Sequence, residues 1–538
     1  MKNAIIKYIV VALSLSFLTT GCRKETTFFS EPYGPGKETL GVVFDRSLVP
    51  SPASGGVGTI VNLKVSGLSN YRDKAIVKFS GQAAEIVSLD GEDLQVKVPL
   101  YASTGIMSIT IDDVIIFGPE FEVEGRIKID PTWEARQGTN SSVNDRFVTP
   151  DGKAIYIGNF TDYNRKGLVK PINRLVRTFS NGAYDVSWRT GLGANGALVA
   201  ITQLGDRYYI GGSFSGYDMK RENISNLTSL HLTGGLDSVG IKPFRRPDQS
   251  DTTKYVPRFN GGFNAAVLRL YPQDNKLIAT GNFRYYVSRQ YDKPNARETR
   301  DTTILDSVEI RQIARLNLDG SLDKTFRFNG NTSFQGANGD VSTIVHESGP
   351  HQGKILVFGQ FTRFDEKTVG YITRLNPDGT IDNTFNAQGV GADYFVTNVT
   401  YNAETNKYIA LGQFTTYNGR PARHMALLNA DGTLDESFQA KVFLGGFPSY
   451  AKQLNDGLIM VSGRFLTYGG VTRNGFMMIN PDGNLAETTL NATGQFLGSI
   501  YQAIETTSED GKRALLLMGE FQKFDNKDVS NIIRVIIE

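Results

Sequence analysis

Apolar and polar residues alternate along this chain in short runs separated by Gly, Asp and Pro. The first runs are GTIVNLKVSGL (58–68), AIVKFSG (75–81), DLQVKVP (93–99), GIMSITID (105–112) and EFEVEG (120–125). Alternation with period two over such lengths predicts strands with one buried face, and strands at this spacing predict a small antiparallel sandwich over residues 39–126. From residue 127 to 538 the pattern becomes repetitive. An apolar run is followed by Gly-x-Phe-x-x-aromatic at Gly158/Phe160/Tyr163, Gly212/Phe214/Tyr217, Gly281/Phe283/Tyr286, Gly359/Phe361/Phe364, Gly412/Phe414/Tyr417, Gly463/Phe465/Tyr468 and Gly519/Phe521/Phe524. Successive copies lie 51 to 56 residues apart, except where two spacings stretch to 69 and 78.

One repeat can be read in full. DYFVTNVTYN (393–402) is a first strand, KYIALGQF (407–414) a second, HMALLN (424–429) a third and TLDESF (433–438) a short fourth. Four strands per unit near a fifty-residue period predict a β-propeller. The twelve residues RLNPDGTIDNTF (374–385) return as RLNLDGSLDKTF (315–326) and LLNADGTLDESF (427–438), and more faintly as MINPDGNLAETT (478–489). Asn-Pro-Asp-Gly is a type I turn sequence between third and fourth strands, and the Asp-x-Thr/Ser-Phe after it sends a large ring between neighbouring units. A calcium loop is the other reading of these acids, but the ligand alternation of such loops is missing.

The chain stops on NIIRVIIE (531–538), a third strand, while IDPTW (129–133) stands ahead of every unit with Asp130, Thr132 and Trp133 placed like a blade ending. Residues 129–133 are therefore expected to pair with the C-terminal strand and close seven blades, with Trp133 in the packing. The repeats resemble the delta-60 β-propeller family, through RLNPDGTIDNTF and ILVFGQFTRF (355–364). The segment from GTIVNLKVSGL to DLQVKVP resembles the IPT/TIG family of immunoglobulin-like domains. These resemblances imply an all-β chain, a seven-bladed β-propeller preceded by a small immunoglobulin-like sandwich, and neither family brings a general enzymatic activity.

Lys2 and Lys7 precede the apolar run YIVVALSLSFL and then TTGC, a targeting segment too short to span a bilayer. Gly21-Cys22 resembles a bacterial lipobox, although Thr19 stands where Leu is usual. The resemblance implies a signal peptide (1–21) and lipidation of Cys22, the alternative being an ordinary secreted chain with a spare cysteine; RKETTFFSEPYGPGKE, polar and marked by Pro and Gly, reads as a tether over 22–38. Three acyl chains would hold the protein stably, and the membrane would be met through this anchor alone. A lipoprotein with a propeller and an IPT/TIG domain looks like the surface lipoproteins of Sus-type glycan-uptake systems, which implies the outer membrane, facing the cell exterior.

Composition narrows the functions. The 538 residues carry 57 Gly and 11% aromatics, and 57 Lys+Arg balance 55 Asp+Glu to a net +2. A nearly neutral chain with no basic run excludes an electrostatic footprint for nucleic acid. Cys22 is the only cysteine, so no internal disulfide can form. The four histidines (His231, His346, His351, His424) lack metal-ligand spacing, and no nucleophile-elbow, zinc-helix or P-loop pattern occurs. The acid pairs Asp112/Asp113 and Glu509/Asp510 sit at turns. No catalysis, cofactor or metal is expected, although a propeller glycosidase would disperse its acids across blades.

Function is then expected in the loops that vary on a rigid scaffold. Two segments depart from the repeat, 218–258 and 287–310, both placed between second and third strands. The Gly-rich connections between units hold aromatics at Phe263, Phe334, Tyr394, Phe447 and Phe496, near Tyr286 and Tyr291. A broken aromatic ring at the mouth would stack on sugars, so a glycan ligand is expected; the alternative is that these rings plug the junctions. The competing function is a protein-interaction scaffold for outer-membrane transporter components. Asp237-Ser238-Val239, Asp251-Thr252-Thr253, Asp301-Thr302-Thr303 and Asp306-Ser307-Val308 also resemble an O-glycosylation signal of exported proteins, which would shield the insertions.

Overall fold

A computed structural model describes residues 40–538 apart from Arg46, Leu48, Arg221, Glu222, Pro247, Gln249, Asn295, Ala296 and residues 298–302. The expected signal peptide, Cys22 and the tether lie outside the described residues, as does Thr302. Regular structure among them is strand, apart from two one-turn 3-10 segments, Leu68–Tyr71 and Thr488–Asn491.

Two sheets come first. One orders Val43–Phe44, Ile60–Ser66, Asp93–Lys97 and Glu85–Asp90; the other orders Ser54–Gly55, Val114–Val123, Gly105–Ile111, Ala75–Phe79 and Gln82–Ala83. The alternating residues Val61, Val65, Val77, Leu94, Val96, Ile109 and Phe121 point inward and share one core between the sheets.

The repeats then build antiparallel sheets in chain order. They are Val143–Val148, Ala154–Gly158, Leu175–Thr178; Ala197–Leu204, Arg207–Ser213, Leu227–His231; Arg269–Gln273, Lys276–Thr280, Ile313–Leu316; and Val341–Val345, Ile355–Gly359, Ile372–Leu375. Next come Val396–Asn402, Lys407–Gly412, Met425–Asn429, then Pro448–Gln453, Ile459–Gly463, Phe476–Ile479, and last Leu497–Thr507, Arg513–Phe524, Ile532–Ile537. The expected fourth strand shrinks in the first six to a single bridge, such as Leu375 with Ile381 or Leu428 with Leu434.

The turn chemistry explains why. Gly379 N–H donates to the Asn376 carbonyl at 2.9 Å and takes φ +85°, where a Cβ would also strike Arg327 and Phe326. Asp382 then curls the chain away by accepting from both N–H and hydroxyl of Thr384, at 3.0 and 2.6 Å. Its other oxygen accepts from Arg374 Nε and Lys354 Nζ, both at 2.8 Å. Asp185 and Asp323 repeat this with Arg177/Lys153 and Arg315/Lys276. The Arg, Asp and Thr/Ser of the motif are thus an ion-paired knot in the first, third and fourth sheets, and Phe326, Phe385, Phe438 and Trp188 are buried at the junctions.

First strands of successive sheets lie side by side: Asn144 donates to Leu198 O (2.7 Å), Tyr271 to Thr343 O (3.0 Å), Thr400 to Ala451 O (2.7 Å) and Ala503 N–H to Tyr450 (2.9 Å). Gln502 of the last sheet donates to Asp145 of the first at 2.8 Å, so the succession closes on itself. Ile127–Ile129 joins the last sheet against Ile532–Ile537, with Ile127 opposite Ile537 and Ile129 opposite Val535. The pairing strand lies two residues earlier than the sequence suggests; Asp130 adds one backbone bond to Arg534 O, and Trp133 packs on that arginine at 5.0 Å. Trp133 is 4% exposed.

One insertion is where it was expected: Tyr285–Gln290 and Ile304–Glu309 form a hairpin between second and third strands. The other is not. The third strand Leu227–His231 lies inside 218–258, and the excess is a hairpin of Ser238–Ile241 and Lys254–Pro257 that follows it. Gly234 and Asp237 are the turn and knot residues of that repeat, so the extra chain enters at the fourth segment. The two hairpins meet, Phe244 N–H donating to Tyr291 O at 3.0 Å.

Candidate functional site

Three connections converge at one face of the repeat sheets: the end of the second strand, the start of the third and the entry to the first. The residue just ahead of each third strand is held at positive φ: Arg174, Asn226, Gln312, Tyr371, His424, Gly475 and Asn531. In every repeat its carbonyl accepts from the Gly of Gly-x-Phe, from Gly158 on Arg174 to Gly519 on Asn531. Left-handed backbone suits Gly and Asn, and Asn226 and Asn531 also use their amides to tie neighbouring loops. Tyr371 (φ +62°) and His424 (φ +71°) put rings there instead, at a backbone cost of about 1–3 kcal/mol each.

Each of those two rings sits in an aromatic group of its own. Tyr371 lies 5.6 Å from Phe395 and 6.1 Å from Tyr394, and Tyr394 stacks on Phe395 at 4.1 Å with planes 23° apart. In the next repeat His424 meets Phe447 at 4.6 Å. Phe395 and Phe447 occupy the same repeat position, each carbonyl accepting from the middle residue of Gly-x-Phe, Gln413 and Arg464. Tyr394 is 44% exposed and Phe447 57%, so both present ring faces to solvent. Phe447 lines a cleft of about 540 Å³ together with Thr397, Gln413, Ser449, Arg464 and Ser499.

The other residues expected at this mouth lie elsewhere. Phe263 is buried, stacked on Phe283 at 3.8 Å, and Phe496 is buried between Phe476 and Phe521. Tyr286 is buried and donates its hydroxyl to Gly320 O at 2.9 Å, as Tyr163, Tyr217, Tyr417 and Tyr468 do to the turn glycines of their own repeats. Tyr291 is buried where the hairpins meet, and Phe334 is half-buried on the Arg327 guanidinium, 5.4 Å away. These five pack rather than present a face. Only Tyr394 and Phe447 of the expected set stand open. Phe395, Tyr371 and His424 were missed; aligning the repeats on the residue before the third strand would have shown two rings in a column of Arg, Asn, Gln and Gly.

His424 is thus not in a strand but ahead of Met425–Asn429. His346 is buried beside Tyr408, with Nε2 and the hydroxyl 2.7 Å apart, and burial pulls it down to about 4, so it stays neutral at pH 7. Asp112, Asp113, Glu509 and Asp510 are exposed at turns. Among the described residues no three His, Cys, Asp or Glu side chains lie close enough to hold a metal ion.

The two-sheet sandwich rests on the same face, over the last two repeat sheets. Thr104 N–H donates to Ala492 O at 2.8 Å, Arg473 donates to Tyr101 O at 3.1 Å, and Asn526 donates to Glu120 at 2.6 Å. The aromatic groups are left uncovered.

No curated protein matches the chain in sequence. Among solved structures, the WD40 β-propeller domain of Doa1 is 13% identical and covers 76% of this chain and 96% of its own, at a TM-score of 0.38. An auxiliary nutrient binding protein from Bacteroides ovatus ATCC 8483 is 12% identical over 70% and 96%, at 0.20, and Saccharomyces cerevisiae Sqt1 is 9% identical over 92% and 97%, at 0.29. With TM-scores below 0.5, these likenesses say nothing of what this chain binds. The family described as "Domain of unknown function (DUF5122) beta-propeller" matches residues 306–326, 353–385, 404–438 and 454–485, which fall on the third to sixth repeat sheets. The chain is an all-β protein that contains a β-propeller.

Proposed function

We propose that the repeat sheets form one seven-bladed propeller, that the preceding sandwich is an immunoglobulin-like spacer of IPT/TIG type, and that the mouth binds glycan. The carrying observation is the aromatic platform of Tyr371, Tyr394, Phe395, His424 and Phe447, two of whose rings occupy a left-handed backbone position that other repeats give to Asn, Gln, Gly or Arg. Both are half-buried beside the exposed rings of Tyr394 and Phe447, and strained backbone next to an open aromatic surface points to a ligand. Pyranoside faces stack on such rings while hydroxyls take hydrogen bonds from Gln413, Ser449 and Arg464 around the cleft. No step of bond cleavage is proposed. In this reading the protein is a lipoprotein acylated at Cys22, held at the outer surface of the outer membrane as an accessory to glycan uptake.

A protein-scaffold function rests on a different observation. Ile106, Ile115 and Phe117 form an exposed apolar strip on the sandwich, at the edge of a 590 Å³ groove against Asn474, Gln495 and Asn526. A transporter component is the partner that reading calls for. An oligosaccharide panel against the purified protein separates the two. Saturable binding that Phe447→Ala and Tyr394→Ala weaken supports the glycan site. Capture of a transporter with no oligosaccharide bound supports the scaffold.

A further inference from the structure

The middle residue of Gly-x-Phe forms a ring of its own round the mouth: Asn159, Ser213, Asn282, Gln360, Gln413, Arg464 and Glu520, all exposed. Five are neutral, and the two charged ones differ in what they touch. Glu520 accepts a hydrogen bond from Tyr501 at 3.1 Å. Arg464 lies in the cleft beside Phe447, and no carboxylate lines that cleft. Its backbone N–H is spent on the Phe447 carbonyl, 3.0 Å away, while its guanidinium makes no hydrogen bond or ion pair among the described residues. This contrasts with Arg177, Arg315 and Arg374, each locked on its own aspartate. Nothing in the fold requires a cation at position 464, since Gln360 and Gln413 serve the same backbone role.

We infer that the cleft takes a carboxylated glycan, with a hexuronate ring over Phe447 and its carboxylate on the Arg464 guanidinium. This rests on the glycan reading of the platform and adds the charge of the ligand to it. The planar guanidinium matches a carboxylate through two parallel N–H donors, a geometry that a neutral hydroxymethyl group cannot reproduce. The cleft offers Gln413, Ser449, Thr397 and Ser499 for the hydroxyls, and Glu520, across the strand pair from Ser499, is engaged by the Tyr501 hydroxyl.

The test uses one backbone in two charge states: a tetragalacturonate and the same oligomer with its carboxyls reduced, titrated calorimetrically against the purified protein. Wild type should prefer the uronate by about tenfold to a hundredfold, the worth of a charge-assisted pair. That preference should shrink as salt rises from 50 to 500 mM. Arg464→Gln, which installs the residue of two neighbouring repeats, should remove the preference, weakening the uronate far more than the reduced oligomer. Phe447→Ala should weaken both. Equal binding of the two oligomers by wild type, or a preference that survives Arg464→Gln, overturns the inference; if Phe447→Ala still weakens binding there, the platform reading stands without it. If neither oligomer binds, the acidic-glycan inference falls, and the wider panel decides the platform.

Discussion

Replacing Asp382 by Asn tests whether the repeated motif is a structural knot. The side chains of Asp382 and Arg374 are 3% and 2% exposed, so water cannot solvate an orphaned partner. Asn keeps an oxygen for the Thr384 N–H and hydroxyl, so the local turn survives and only the charge is lost. Breaking a buried pair from one side costs about 3–5 kcal/mol. Arg374 keeps the Ala430 carbonyl at 2.6 Å and the Phe385 ring at 4.8 Å, and Lys354 is exposed enough to turn outward. The loss should therefore fall near the lower end, about 3 kcal/mol. The fifth repeat supplies the control. There Leu427 stands where the arginine should be, and Asp435 holds only Lys407, with side chains 13% and 30% exposed. Asp435→Asn should cost less, about 1 kcal/mol, because this pair is partly exposed and Lys407 can turn outward to water. Urea unfolding followed by fluorescence of Trp133 and Trp188 compares the two, and Arg374→Met added to Asp382→Asn should recover most of the loss. If the two Asn substitutions cost the same, or the double substitution recovers nothing, the buried ion pair is not what the motif conserves from sheet to sheet.

Further outcomes follow from the same residues. Trp133→Ala should cost about 3–5 kcal/mol as a large core deletion, while any oligosaccharide affinity of the folded fraction stays unchanged; a loss of affinity would place Trp133 in the binding face. Burial would raise the carboxyls of Asp185, Asp323, Asp382 and Asp435, but hydrogen bonds from their Ser/Thr and Lys or Arg partners outweigh it and hold all four below the usual range. Depressed carboxyls stabilise above the unfolded value near 4 and lose that stability as pH falls through their folded values, so unfolding should steepen below about pH 4. Asp145 and Glu347, both pushed up by burial, act in the opposite sense; a flat urea midpoint from pH 5 to 2.5 would contradict the balance. Tyr371→Asn and His424→Asn should leave stability unchanged or raised by up to about 1 kcal/mol while weakening glycan binding, and calorimetry with thermal melts reads both. Cys22→Ala should release the protein from the membrane fraction, and unchanged partitioning would remove the lipid anchor from the proposal.

The parts of the fold that sequence makes readable are those governed by local chemistry. Asn-Pro-Asp-Gly can only turn, Asp-x-Thr can only curl, and a recurring Phe after them must go somewhere dry. The mouth resisted for the opposite reason. In an irregular Gly-rich connection no period of two assigns a ring to core or solvent, so Phe263 and Phe496 looked the same as Phe447. Tertiary partners decided: Phe263 has Phe283 to stack on, whereas Phe447 has only His424 at its edge. The second-repeat insertion was misplaced because NLTSLHL reads as polar, although Gly234-Gly235-Leu236-Asp237 repeats the turn and knot that mark a third strand's end.

The closing strand also sets a timetable. Asp130 and Arg534, whose side chains pair across the closure, are separated by 404 residues, so the first piece of the last sheet leaves the ribosome long before the strand it must join. Until the C-terminus arrives, Ile127–Ile129 has no neighbour, and the sheet edge that will receive it does not exist. Contacts this distant form late and slowly, and open edges invite pairing with other chains. A chain cut a few residues short would lose the partner of Ile127 and carry that hazard permanently. Folding therefore passes through an unclosed chain, and pairing of Ile127–Ile129 with the C-terminal strand is the step that removes its open edge.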